Sequence, residues 1–187
     1  MSICMKAKDK KGIKMQTSMG RKAGIRYLVL AGIMAALITI MTAYICHIPV
    51  GTNGGYVHFG DALIYLSAVL LPKPYALAAA AIGDGLADLL TAPMWVPATV
   101  IIKMLIVLPF TCHSGRIVSL KSMLACILAY FISGIGYFAA QYILFETAAV
   151  FWVSMLQSLL QAVGSAVFFI VFGMALDKAD FKKRIMN

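Results

Sequence analysis

Hydrophobic residues along this chain come in long blocks, and the polar residues between them fall in short clusters. The first block runs from about Arg26 to Ile48, and Pro49 and Gly51 end it. About 20 apolar residues span a bilayer as a helix, so this block is long enough. The second, Asp61 to Leu71, holds roughly 11 residues, or about 16 Å of helix, too short for a full bilayer. Its helix either begins earlier, near Tyr56, or is a short one held by its neighbours. Pro72, Lys73 and Pro74 then make a sharp turn. Tyr75 to Leu90 is a third block, rich in alanine and glycine, and Thr91 to Pro97 is a loop. A fourth block runs from Pro97 to Cys112, a fifth from Ser122 to Phe145 and a sixth from Ala149 to Leu176. The turn between the last two carries Glu146 and Thr147. The pattern predicts an all-α integral membrane protein, a six-transmembrane-helix bundle.

The polar flanks set its orientation. Residues 1–25 form a basic tail, residues 26–176 the membrane domain, and residues 177–187 a second basic tail. Six helices put both tails on one side. Placing that side in the cytoplasm puts every loop lysine and arginine inside, and the three outer loops then carry none. No internal repeat is visible, so a transporter built from repeats gains no support.

Composition agrees. Of 187 residues, 62% are hydrophobic and 12% charged, whereas soluble domains are about 25% charged. The formal charge of +9 lies mostly in the tails: eight of the sixteen basic residues fall in the first 26 positions and four follow Asp177. A nucleic-acid-binding protein needs its basic residues on the face of a folded domain, so that class is excluded. Cys4, Cys46, Cys112 and Cys126 show no metal-ligand spacing. Ile45 before Cys46 disfavours a lipoprotein acceptor, and the N-terminus resembles neither a signal nor a transit peptide.

Ionisable groups inside a membrane are costly and mark function or a structural pair. Asp84, Asp88 and Lys103 are such groups. The two aspartates are i, i+4 and share a helix face. Asp84 lies seven or so residues below the outer end of its helix and Lys103 six or so below the start of the next, so both sit about 10 Å deep. They can pair across the two helices, either as a structural ion pair or as the lining of a ligand pocket. A protease dyad is disfavoured, because two carboxylates on one helix do not hold a water symmetrically between them. The chain carries no nucleophile elbow, no HExxH and no GxxxxGK[ST], so neither an enzyme, a metal nor a cofactor is implied.

Other polar residues gather at outer or middle depth: Asn53, His58, Asp61, Gln141, Glu146, Gln157 and Gln161. Aromatic residues accompany them: Tyr56, Phe59, Trp95, Tyr137, Tyr142 and Trp152. Aromatic walls with a few aimed polar groups suit a small, flat, polar ring compound. An interfacial aromatic belt is the alternative, and the better one for Tyr142 and Trp152. His58 beside Asp61 reads either as a pocket pair or as a helix cap. Gln157 and Gln161 read either as packed hydrogen-bonding groups or as pocket residues. In the first block, Ala31/Ala35 and Gly32/Ala36 are two small-xxx-small pairs, which serve packing inside the chain or docking of another protein.

Gly55-Tyr56-Val57-His58-Phe59-Gly60-Asp61-Ala62, Gly83-Asp84-Gly85-Leu86-Ala87-Asp88-Leu89-Leu90, Trp95-Val96-Pro97-Ala98-Thr99 and Ile101-Ile102-Lys103 resemble the substrate-binding S components of energy-coupling-factor (ECF) transporters. The branch resembled includes the hydroxymethylpyrimidine, pyridoxine-type and riboflavin components. The resemblance covers about residues 26–176. It implies a multi-pass protein of the bacterial plasma membrane with an outward-facing pocket for a vitamin-like small molecule. It also implies a transmembrane coupling (T) subunit and two cytoplasmic ATPases as partners. Small residues on the first helix dock the coupling subunit in that family, a pattern Ala31 and Ala35 match, and the loops after the first and third helices cover the ligand. The competing expectation is a small non-transporting membrane protein, an enzyme or assembly factor, with a structural Asp/Lys cluster.

Overall fold

The computed structural model describes residues 24–45, 48–49, 56–112, 115–145 and 151–186. The basic tail before residue 24, residues 50–55 of the 49–60 loop with Asn53 among them, and Glu146 lie outside the described residues. Helix α1 is Gly24–Ile45, and its last residues, Met41–Ile45, widen into a π turn. Such wide turns recur at functional sites, and Thr42 sits inside this one. Two short strands follow, β1 (Ile48–Pro49) and β2 (Tyr56–Val57), paired antiparallel with Ile48 opposite Val57. The extended backbone at Tyr56 settles the start of the second helix: α2 is Asp61–Leu70, a short helix.

Its ten residues give about 15 Å of helix. Every α2 residue except Leu63 is buried, which is the signature of a helix surrounded by others. Tyr65 stacks on Phe110 with ring centroids 4.9 Å apart, and Phe169 meets both rings edge-on. Neighbours therefore hold what its length could not.

Helix α3 (Lys73–Thr91) starts behind Pro72, with Pro74 in its first turn, where a missing N–H costs nothing. Its face of Ala76, Ala79, Ala80, Gly83 and Ala87 is buried. At Gly83 a Cβ would lie 2.8 Å from Ile38 and 3.0 Å from the Ala35 carbonyl oxygen, so α1 and α3 cross at backbone distance. The Thr39 hydroxyl donates to the Gly83 carbonyl at 2.8 Å across that crossing.

A 3-10 turn, Pro93–Trp95, leads into α4 (Val96–Val107). Helix α4 stops short of the expected Cys112. Pro109 has no N–H to continue the ladder, and Phe110 turns inward to the aromatic core. Helix α5 is Leu120–Phe145. It starts two residues before the expected Ser122, after Ser119, whose Oγ accepts the Ser122 N–H at 3.3 Å. Helix α6 is Phe151–Lys178. Asp177 near its end accepts the Ile117 and Val118 N–H groups at 2.8 and 3.0 Å, which pins α6 to the lead-in of α5. The stretch expected as a second tail contains a further short helix, α7 (Phe181–Met186), with Phe181 packed against the core.

Among the described residues, three helices are long and apolar enough to cross a membrane: Gly24–Ile45, Leu120–Leu144 and Ser154–Lys178. Their outer faces leave Leu28, Val29, Ile127, Leu128, Leu156 and Val163 exposed. Helices satisfy their own backbone groups, so such faces suit hydrocarbon. The fold is that of an all-helical membrane protein, apart from the β1–β2 pair. α2 and Pro93–Val107 are apolar but shorter, and α3 carries Asp84 and Asp88.

Candidate ligand-binding site

The polar residues of the helix interiors converge at one end of the bundle, where α1 and α3 finish and α2 and α4 begin. Gly60 makes the approach possible. A Cβ at Gly60 would collide with the Thr42 hydroxyl and lie 2.9 Å from His58 Nδ1. The Gly60 N–H donates to His58 Nδ1 at 3.1 Å, so the imidazole secures the turn that leads into α2. The other ring nitrogen, Nε2, lies 4.0 Å from Asp84 Oδ2 and 3.4 Å from the Gln161 amide nitrogen. The pocket and capping readings of His58 are therefore compatible.

Asp61 opens α2, where its charge faces the positive end of the helix. Its Oδ1 accepts from Lys103 Nζ at 2.5 Å, and its Oδ2 accepts from the Gln161 amide at 2.7 Å. Asp84 Oδ2 lies 3.3 Å from the same ammonium, and Asp84 Oδ1 accepts from the Thr42 hydroxyl at 2.7 Å. Three of the four carboxylate oxygens accept a hydrogen bond, and Asp84 Oδ2 has only its ion-pair contacts with Lys103 and His58. Lys103 is fully buried, and its ammonium also lies 5.7 Å from the Tyr137 ring centroid. Buried charges persist only when paired and hydrogen-bonded in this way. His58, Asp61 and Asp84 place ligating atoms within 4.8 Å of one another, as a metal site would. The Lys103 ammonium already supplies the positive charge between those two carboxylates.

Above this floor lies a cavity of about 50 Å³. Asp88, one turn beyond Asp84, stands on its wall with Trp95 and Thr99. Helix α5 adds Tyr137 and Gln141, and α6 adds Ser154, Gln157, Ser158 and Gln161. The wall is itself ordered by contacts. Thr99 Oγ1 and the Tyr137 hydroxyl are 3.2 Å apart, Ser154 donates to Gln141 Oε1 at 2.8 Å, and Trp95 meets Tyr137 edge-on.

All nine residues expected at a ligand site meet here. Asp61, Asp84 and Lys103 form the floor, His58 and Gln161 join floor to wall, and Asp88, Trp95, Gln141 and Gln157 line the wall. The Asp84–Lys103 pair forms, yet Asp61 is the closer carboxylate. Sequence reasoning missed Thr42, Thr99, Ser154 and Ser158. A signal existed for two of them: Ser154, Gln157, Ser158, Gln161 and Ser165 recur at i, i+3, i+4, i+7 and i+11, a polar stripe on an apolar helix. Of the small residues on α1, Ala31 and Ala35 are buried within the chain, whereas Gly32 and Ala36 are exposed. Tyr142 and Trp152 stay exposed, away from the cavity wall.

Comparison with known proteins places this architecture. An uncharacterised protein in the gap 3′ region of Pyrococcus woesei is 32% identical over 111 residues, which cover 56% of this chain and 72% of that protein. The family description "ECF-type riboflavin transporter, S component" matches residues 22–179, from the start of α1 to the end of α6. That family's members are substrate-binding subunits of transporters rather than enzymes, and membership implies a small-molecule substrate with coupling and ATPase subunits in a membrane complex. An apolar helical body with a buried polar cavity at one end is what such a subunit requires, and the chain belongs to the ECF-type S component family.

Proposed function

We propose that this chain captures a B vitamin or vitamin precursor outside the cell for ATP-driven uptake by partner subunits. Hydroxymethylpyrimidine, pyridoxine-type and riboflavin compounds are the candidate substrates. One observation carries the reading: side chains from α3, α4, α5 and α6 and from the lead-in to α2 meet around one cavity in an otherwise apolar body. Trp95 and Tyr137 offer aromatic surface, and Asp88, Gln141, Gln157 and Gln161 offer aimed polar groups. Sites for such ligands measure about 300–1,000 Å³, so binding spreads the walls of the present 50 Å³ cavity.

In this reading six segments cross the membrane of a bacterial cell, with both termini in the cytoplasm. The burial of α2 supports its role as a short central span. Gly32 and Ala36, which face outward on α1, dock the coupling subunit, and Ala31 and Ala35 hold α1 to its own bundle. The sequence carries no phosphate-binding loop, so two ATPase partners supply the hydrolysis.

One observation favours the second reading, a non-transporting membrane protein with a structural cluster: Asp61 and Asp84 already share the Lys103 ammonium without a ligand. Native mass spectrometry of the detergent-purified protein, with released small molecules identified, separates the two. A pyrimidine, pyridine alcohol or flavin near one per chain supports substrate capture. An empty protein that also gives no thermal shift with a vitamin panel overturns it.

A further inference from the structure

The opposite end of the bundle, where α1 starts and α6 finishes, holds a second cavity of about 390 Å³. Gly115, Arg116, Leu176, Asp177, Asp180 and Lys182 line it. They come from the lead-in to α5, the last turn of α6, the turn after it and the start of α7. Asp180, between α6 and α7, has a φ of 50°, a left-handed conformation that reverses the chain. The reversal returns α7 to the bundle, where the Arg26 guanidinium donates to the Arg184 carbonyl at 3.1 Å.

Lys182 is 4% exposed, and its ammonium makes no hydrogen bond among the described residues. Burial lowers its pKa, against opposing contributions from Cys112 and Asp177. Asp177 directs its two oxygens to the Ile117 and Val118 N–H groups, and Asp180 is exposed. A buried ammonium is costly until an anion meets it. The Arg116 guanidinium, exposed on the same cavity, adds a fork that matches phosphate oxygens.

The surroundings set the sign and the kind of ligand. Segments 113–121 and 177–187 hold six lysines and arginines against two aspartates. The cavity lies where α5 begins and α6 ends, and both helices are long enough to cross a membrane. Leu120 in the first turn of α5 and Met174 near the end of α6 are exposed at that level. A lipid with its chains along these side chains brings its phosphate to a basic pocket between helix ends.

We propose that this cavity binds the phosphate group of an anionic phospholipid, held between Arg116 and Lys182. The lipid bridges the lead-in of α5 to α7. The site is independent of what the cavity at the other end takes.

The full chain, purified in a non-ionic detergent, is titrated with dihexanoylphosphatidylglycerol, with the matched phosphatidylcholine and with inorganic phosphate. Native mass spectrometry counts what is bound. The expected result is one phosphatidylglycerol per chain, held at least about tenfold more tightly than either control. Lys182→Gln and Arg116→Gln should each weaken it about tenfold. Lys178→Gln, exposed and off the cavity wall, should change it by less than about twofold. Lys182→Met guards against misfolding. It removes a buried charge, so the melting temperature without lipid should hold or rise, while lipid affinity falls as in Lys182→Gln. Unchanged affinity in both Lys182 variants overturns the proposal. So does equal binding of phosphatidylcholine, or an equal loss in Lys178→Gln, because general surface charge would then suffice. Inorganic phosphate that binds as tightly as the lipid overturns the lipid assignment in favour of a soluble phosphate.

Discussion

Asp84 and Asp88 lie one turn apart on one face of α3, and they occupy different chemistries. Asp84 belongs to the floor: Thr42 and Lys103 hold its two oxygens. Asp88 belongs to the wall and lines the cavity. The same contrast divides the polar end as a whole. In the floor, opposite charges are paired and the geometry is fixed by α1, α2, α3, α4 and α6 together. Along the wall, Gln141, Gln157, Ser158 and Thr99 present neutral donors and acceptors that a ligand can engage. Burying charge demands that partners be built in, whereas recognising a ligand demands groups that face open space. A floor of this kind stabilises the fold and tunes the field above it. The wall selects.

Substitutions separate the two. The largest effect is expected at Lys103. Lys103→Met leaves Asp61 and Asp84 buried without their shared cation and should cost about 3–5 kcal/mol, read as a large fall in melting temperature in detergent. Adding Asp61→Asn to that variant should recover part of the loss. Unchanged melting of Lys103→Met would mean that the floor is not a charge-paired unit. Next comes Gly60→Ala, whose methyl group meets the Thr42 hydroxyl and His58. Overpacking of this kind costs about 1–3 kcal/mol, and the accompanying shift of His58 should weaken ligand binding as well.

Asp88→Asn should reverse the balance of effects. Stability should change by less than about 1 kcal/mol, as for a single hydrogen-bonded side chain, while ligand affinity falls about tenfold. A stability loss as large as that of Lys103→Met would move Asp88 into the floor and remove the contrast. The smallest effect is expected at Ser154→Ala, which removes the hydrogen bond to Gln141. About 0.5–1.5 kcal/mol is expected, with a modest change in affinity because the Gln141 amide is then less firmly aimed.

Particular residues show how far the sequence could be read. Matching depths on neighbouring helices were enough to pair Asp84 with Lys103, since rise per residue is fixed. The same arithmetic could not find the shorter Asp61–Lys103 contact, because it needs α2 to stand at the centre of the bundle. Thr42 was invisible for a similar reason: a hydroxyl in an apolar helix acquires meaning only when a π turn and Gly60 bring it to Asp84 and His58. α4 ends at Val107 because Phe110 turns into the Tyr65–Phe169 cluster, a destination that hydropathy does not record.

By itself the sequence determined that this is a helical membrane protein, where its apolar helices begin and end to within a few residues, and that its rare interior charges would gather at one depth. Hydrocarbon forces those outcomes, because a buried backbone must bond to itself and a buried charge must find a partner. Only the tertiary structure decided which partner each charge found and which of two adjacent small-residue pairs faced inward. Ala31/Ala35 and Gly32/Ala36 differ by one residue, a rotation of about 100° on a helix. The close crossing of α1 over Gly83 turned the first pair inward and left the second exposed.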